Sequence, residues 1–235
     1  KLLFFDKRLS LDKTVSCASC HDPLKGWTDQ RPTPVGVRQQ LGRRNTPSVL
    51  NAAYRTALFW DGRAPGLEAQ AKEPIANPKE MALTHEEAAA RIAAVRGYAR
   101  YFRSAFGDPA VTIERIVMAL GSFERTLLTG NSPYDRGKLG PEAVRGEELF
   151  RGKANCAACH FGPDFTDEGF HNVGSGMQRR VLDLGRHEVT REDGDRGAFK
   201  TSTLRNLSDT SPYMHDGSLA TLPEVVDFFD TGGFA

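Results

Sequence analysis

The chain has 235 residues, 39% apolar and 26% charged, with a formal net charge of +1. That is enough apolar material for one large domain or two small ones. The charge balance argues against a nucleic-acid partner, which would call for a basic excess on one face. No run of about 18 apolar residues is present to span a membrane as a helix.

In chain order, Lys1–Phe5 reads as the middle of a helix, as expected of a chain trimmed at both ends with its export signal removed. Cys17-Ala18-Ser19-Cys20-His21 follows. Residues 22–60 are rich in Pro, Gly, Asn and Thr and read as one long irregular stretch. Thr84 and Glu87 form a capping box, which predicts a helix running to about Phe106. Thr112 caps a second helix, with Ile113, Ile116, Val117, Leu120, Phe123, Leu127 and Leu128 on its buried face. Residues 129–140 read as a linker. Pro141 at N1 opens a third helix that leads through Leu149-Phe150 towards Cys156. A short helix is expected at about Leu222–Phe229, and strand patterning is scarce.

All four cysteines fall in two Cys-x-x-Cys-His units, the second at Cys156, Cys159 and His160. Two thiols at this spacing form thioethers to the two vinyl groups of one haem, and the next His lies under the iron. A redox dithiol needs no following His. A shared zinc site would not explain a His after each pair. The residues therefore predict two covalently bound haem c groups, ligated by His21 and His160. Each unit is preceded by an apolar helix end and followed by a proline and an aromatic-Thr-Asp triplet, Trp27-Thr28-Asp29 or Phe165-Thr166-Asp167. The repeat predicts two copies of one haem-binding module. The expected fold is mainly α, with two cytochrome c-like domains, 1–135 and 136–235, and long irregular loops.

Further segments carry a resemblance. They include Phe5-Asp6-x-Arg8-Leu9-Ser10, Arg44-Asn45-Thr46-Pro47-Ser48, Phe59-Trp60-Asp61-Gly62-Arg63 and Glu68-Ala69-Gln70-Ala71. Pro74-Ile75-x-Asn77-Pro78-x-Glu80-Met81, Ser122–Leu127, Leu204-Arg205-Asn206 and Tyr213–Gly217 continue the series. In this order they resemble the bacterial di-haem cytochrome c peroxidases and their MauG relatives, over essentially the whole chain.

The resemblance implies that the N-terminal haem reacts with hydrogen peroxide and the C-terminal haem passes electrons to it. It assigns Glu80 as the distal acid, Gln70 as the distal glutamine and Trp60 as the tryptophan between the haems. It implies one calcium ion, held by Asn45 and the carbonyls of Thr210 and Pro212. It also implies a periplasmic location, a homodimer, and a small redox protein, a cytochrome c or cupredoxin, as donor. The chemistry agrees with those residue types: a carboxylate in a desolvated pocket can carry a proton from the near to the far peroxide oxygen.

Two positions depart from the pattern. The removable distal His of that family lies sixteen residues after the proximal His, where this chain has Val37. Valine cannot ligate iron, so an open sixth position is expected at the N-terminal haem, as in MauG-type members. The sixth ligand of the C-terminal haem lies seventeen residues after the calcium-site proline, where this chain has Phe229. Met214 is an alternative ligand there, and His171, His187 and His215 are further candidates that also read as hydrogen-bonded structural histidines. Three functions follow: a peroxidase, a MauG-like enzyme that uses peroxide to oxidise residues of a partner protein, and a non-catalytic di-haem electron carrier.

Overall fold

The computed structural model describes residues 1–177 and 179–233. Among them, helices dominate: α1 (Cys17–Cys20), α2 (Leu67–Ala76), α3 (His85–Ala93), α4 (Arg96–Phe106), α5 (Ile113–Glu124), α6 (Pro141–Arg151), α7 (His187–Thr190) and α8 (Leu222–Asp230). One short antiparallel ladder pairs β1 (Phe170–His171) with β2 (Phe199–Lys200). The expected helix-rich, strand-poor chain is what forms. No helix among the described residues is long and apolar enough to cross a membrane.

Local chemistry explains where the helices start. Thr84 and Glu87 close the expected capping box on α3, and Thr221 with Glu224 closes another on α8. Pro141 stands at the first position of α6, where a missing N–H costs nothing.

The helix expected over residues 84–106 is two helices. The chain leaves helical geometry at Val95 (φ −88°, ψ 102°), so α3 and α4 turn different faces to the interior. The bend lets Tyr98 of α4 bury its ring and donate its hydroxyl to Asp6 Oδ2 at 2.7 Å. Leu128, expected on the buried face of α5, lies beyond the helix end and is exposed. Helix α2 has no side-chain cap at Gly66 and contains Pro74, so neither boundary signal marks it. It exists because Leu67, Ala71 and Ile75 bury one stripe against α5.

The main core lies in the N-terminal half. Leu9, Val37, Leu83, Ile92 and Ile116 are fully buried in one cluster with Phe4, Ile75, Val117 and Leu120. The C-terminal half buries fewer apolar side chains, among them Ala198, Phe199, Leu219 and Phe228, and leaves Leu149, Phe161, Val181 and Val226 exposed. It is built instead around a cavity of about 690 Å³ lined by His160, Phe161, Phe165, Phe150 and Tyr134.

Candidate functional site

The two Cys-x-x-Cys-His units take the same arrangement. Ser16 and Ser19 cap the one-turn helix α1, which brings Cys17 and Cys20 to one side and hands the chain to His21. The second unit forms a single 3-10 turn over Cys156–Ala158, closed at His160. None of the four cysteines is paired in a disulfide. Burial pushes the Cys17 and Cys20 thiols up to about 12.

In each unit the histidine ring is tied back by the aromatic residue of the repeated triplet. His21 Nδ1 meets the Trp27 carbonyl at 3.2 Å, and His160 Nδ1 meets the Phe165 carbonyl at 2.9 Å. A carbonyl accepts only, so each Nδ1 carries the proton and each Nε2 presents its lone pair. Both aromatic residues sit at positive φ, 61° and 51°, a conformation that costs energy and is held here by the surrounding turn. Burial pushes His21 down to about 4, which keeps its ring neutral at physiological pH.

The residues fit two haem groups. Paired thiols, an imidazole with free Nε2, and a large apolar cavity on His160 are the required parts. Beside that cavity the Asn206 amide nitrogen is buried without a partner, as a donor awaiting a carboxylate would be. Two such modules in one helical chain define a di-haem c-type protein.

The chain belongs to the family of di-haem cytochrome c peroxidases and MauG proteins: residues 1–143 match the family model described as di-haem cytochrome c peroxidase. It is 46% identical to the methylamine utilization protein MauG of Methylorubrum extorquens, over 99% of this chain and 68% of that protein. It is 42% identical to the cytochrome c551 peroxidase of Nitrosomonas europaea, over 97% of this chain and 70% of that one. Among solved structures, a MauG-like protein associated with microbial copper homeostasis superposes with a TM-score of 0.90 at 34% identity, covering 98% of this chain and 75% of that one. The diheme peroxidase BthA from Burkholderia thailandensis gives a TM-score of 0.84 at 26% identity, over 97% and 69% of the two chains. With its family, the chain is an oxidoreductase that acts on peroxide.

The structure places the sequence candidates as follows. Gln70 lies half-buried on α2, and the turn after α2 carries Glu80. Asn77 and Pro78 shape that turn: Lys79 N–H donates to Asn77 Oδ1, and Asn77 Nδ2 donates to Glu80 Oε1 at 2.7 Å. Burial raises the Glu80 pKa; nearby Arg63 opposes this, Glu73 adds to it, and the Asn77 bond opposes it. The Cys20 thiol feels the Glu80 charge, so the acid stands near the first attachment unit. Val37 is fully buried, and its N–H donates to the Glu80 carbonyl at 2.8 Å.

Trp60 is half-buried where the two halves meet. Its Nε1–H donates to the Asn45 carbonyl at 2.8 Å, its carbonyl accepts from Lys200 N–H, and its ring meets His215 edge-on at 6.5 Å. Asn45 is buried beside the 209–217 segment, its N–H on the His215 carbonyl, and Pro212 follows a cis peptide bond there. The Asn45 amide nitrogen donates to Arg31, which leaves its oxygen as the free polar atom.

Met214 is half-buried at positive φ, and neither it nor Phe229 lines the His160 cavity. The other histidines have partners: His171 on Asp167 at 2.7 Å, His187 on the Glu192 carbonyl, and His215 stacked on Phe199 and hydrogen-bonded to Ser175. His171, Asp167 and Cys159 converge as metal donors do, but Cys159 becomes a thioether once a haem is attached. The Arg44–Asp61–Asp183 ion network was not evident from sequence, nor was Arg205, which takes Asp135 with two nitrogens beside the His160 cavity. Arg44, Asp61 and Arg205 all stand inside the motifs that carry the resemblance, which was the available signal.

Proposed function

We propose that the chain is a peroxidase that reduces hydrogen peroxide at the N-terminal module and draws electrons through the C-terminal one. When bound, the first haem supplies an iron that takes peroxide. The chain's own contribution is the Glu80 carboxylate. It is half-buried, aimed by Asn77 and raised in pKa by desolvation, and so is suited to lift a proton from one peroxide oxygen and set it on the other. This is the observation that carries the reading. Gln70 holds the peroxide by a hydrogen bond, and Trp60 relays electrons across the seam between the halves.

The halves correspond to two cytochrome c-like domains, 1–135 and 136–235. The main cluster drawn from the first and the cavity lined mostly by the second support that division. One calcium ion sits between Asn45 and the carbonyls of Thr210 and Pro212, supported by the amide oxygen that Asn45 leaves free. Electrons come from a small cytochrome c or cupredoxin in the periplasm, and the working form is a homodimer.

A specific residue favours a second reading. Val37 puts an aliphatic side chain where a removable ligand stands in other family members, as in MauG-type proteins, whose reaction oxidises residues of a partner protein. Turnover of peroxide with reduced cytochrome c separates the two readings. Low-temperature electron paramagnetic resonance of the ferric holoprotein tests what they share: one haem must be high-spin. Two low-spin haems would leave only a carrier.

A further inference from the structure

Two loops meet at Trp60 through paired contacts that run side by side. The indole N–H of Trp60 takes the Asn45 carbonyl at 2.8 Å, and one residue along each loop the Arg44 guanidinium takes the Asp61 carboxylate at 2.5 Å. Both charged side chains are withdrawn from solvent, at 10% and 4% exposure. The far half of the chain closes on the same pair. Asp183 accepts from Arg44 with both oxygens, at 2.8 and 2.7 Å. Arg44 also lies over the Phe199 ring at 5.5 Å, and that ring stacks on His215, which flanks the indole.

A buried ion pair of this kind contributes little net stability over an apolar replacement, because desolvation offsets the attraction. What a bidentate guanidinium–carboxylate contact does supply is fixed geometry. A single hydrogen bond leaves the indole free to swing about it. The second rung, from Arg44 to Asp61, removes that freedom, and Asp183 locks Arg44 to the C-terminal half.

We propose that Arg44 and Asp183 are positioning residues that hold the Trp60 indole at its working angle and thereby set the rate of electron passage between the modules. This rests on the reading of Trp60 as the relay. One electron leaves the second module for each that reaches the first. The indole ends as it began, and its N–H stays on Asn45 throughout.

The test uses holoprotein with both haems attached. Half-reduced protein is loaded with carbon monoxide, and inter-haem equilibration is followed after photolysis. Ultraviolet resonance Raman spectra report the indole hydrogen bond, assigned by difference from Trp60→Phe. Arg44→Met and Asp183→Asn are expected to slow equilibration about tenfold, on the scale of misplacing a reacting group, and to shift the Trp60 band. A merely structural role would lower Tm and leave both readouts unchanged in the folded holoprotein. If Arg44→Met fails to fold, Asp183→Asn decides, since it keeps the side-chain volume but offers one acceptor oxygen in place of two and so breaks the two-oxygen contact with Arg44. An unchanged rate and band in Asp183→Asn, with Trp60→Phe slow, overturns the positioning role and leaves the relay standing. A wild-type rate in Trp60→Phe overturns the relay, and the positioning proposal with it.

Discussion

The backbone N–H of Val37 donates to the carbonyl of Glu80 at 2.8 Å. The contact joins the loop that lacks a ligating side chain to the turn that carries the acid. Just before it, Gly36 lies so close to the Lys79 and Glu80 carbonyls that an added Cβ would fall 2.0 and 2.6 Å from them. The loop is thus pinned against the Glu80 turn by backbone, and the Val37 side chain belongs to the main core.

Glu80→Gln should slow the reaction with peroxide more than about tenfold, the usual contribution of a positioned acid/base group. Stopped-flow mixing of the ferric holoprotein measures it. The pH dependence has a definite sign. Glu80 must be ionised to accept the first proton, and burial raises its pKa. The rate should therefore climb with pH through a midpoint above the ordinary carboxylate value and fall away below it. In Glu80→Gln that acid limb should vanish. A variant that reacts at the wild-type rate removes Glu80 from the chemistry.

Phe4→Ala should cost about 4 kcal/mol, since a fully buried aromatic leaves a cavity that its neighbours cannot fill. Phe4 meets Phe5, Trp27 and Phe123 edge-on, at 5.6, 5.8 and 5.3 Å, and lies 6.4 Å from the His21 ring. Because the Trp27 carbonyl holds His21, the variant should also shift the reduction potential of the N-terminal haem and spare the other. Urea unfolding and a redox titration check the two parts separately.

Removal of calcium should lower Tm, and added calcium should restore it. A ligand at a hundredfold excess over its Kd stabilises by about 2.7 kcal/mol, which sets the scale of the shift. Asn45→Leu should abolish the response, because it removes the amide oxygen while keeping the backbone bonds to Trp60 and His215. Differential scanning calorimetry with chelator and back-titration is the measurement. A Tm indifferent to chelator would dismiss the site.

The two Cys-x-x-Cys-His units were legible because their pattern is confined to five consecutive residues, and the capping box of α3 was legible because it spans four; the matching box of α8, Thr221 with Glu224, emerged only from the structure. Helix α2 lacks both end signals, so its existence depends on burial against α5. The break at Val95 was hidden for a similar reason: the local sequence carries helical spacing through it, and what separates α3 from α4 is the partner each face finds.

By itself the sequence determined the two Cys-x-x-Cys-His units, the helical character and the family motifs, since these depend on residues a few positions apart whose geometry the backbone period dictates. The tertiary structure alone decided what the motif residues touch. Arg44 meets Asp183 across 139 positions, and Trp60 finds its acceptor on a loop fifteen residues away. Contacts at such separations form only after the chain has closed on itself, so no local pattern encodes them.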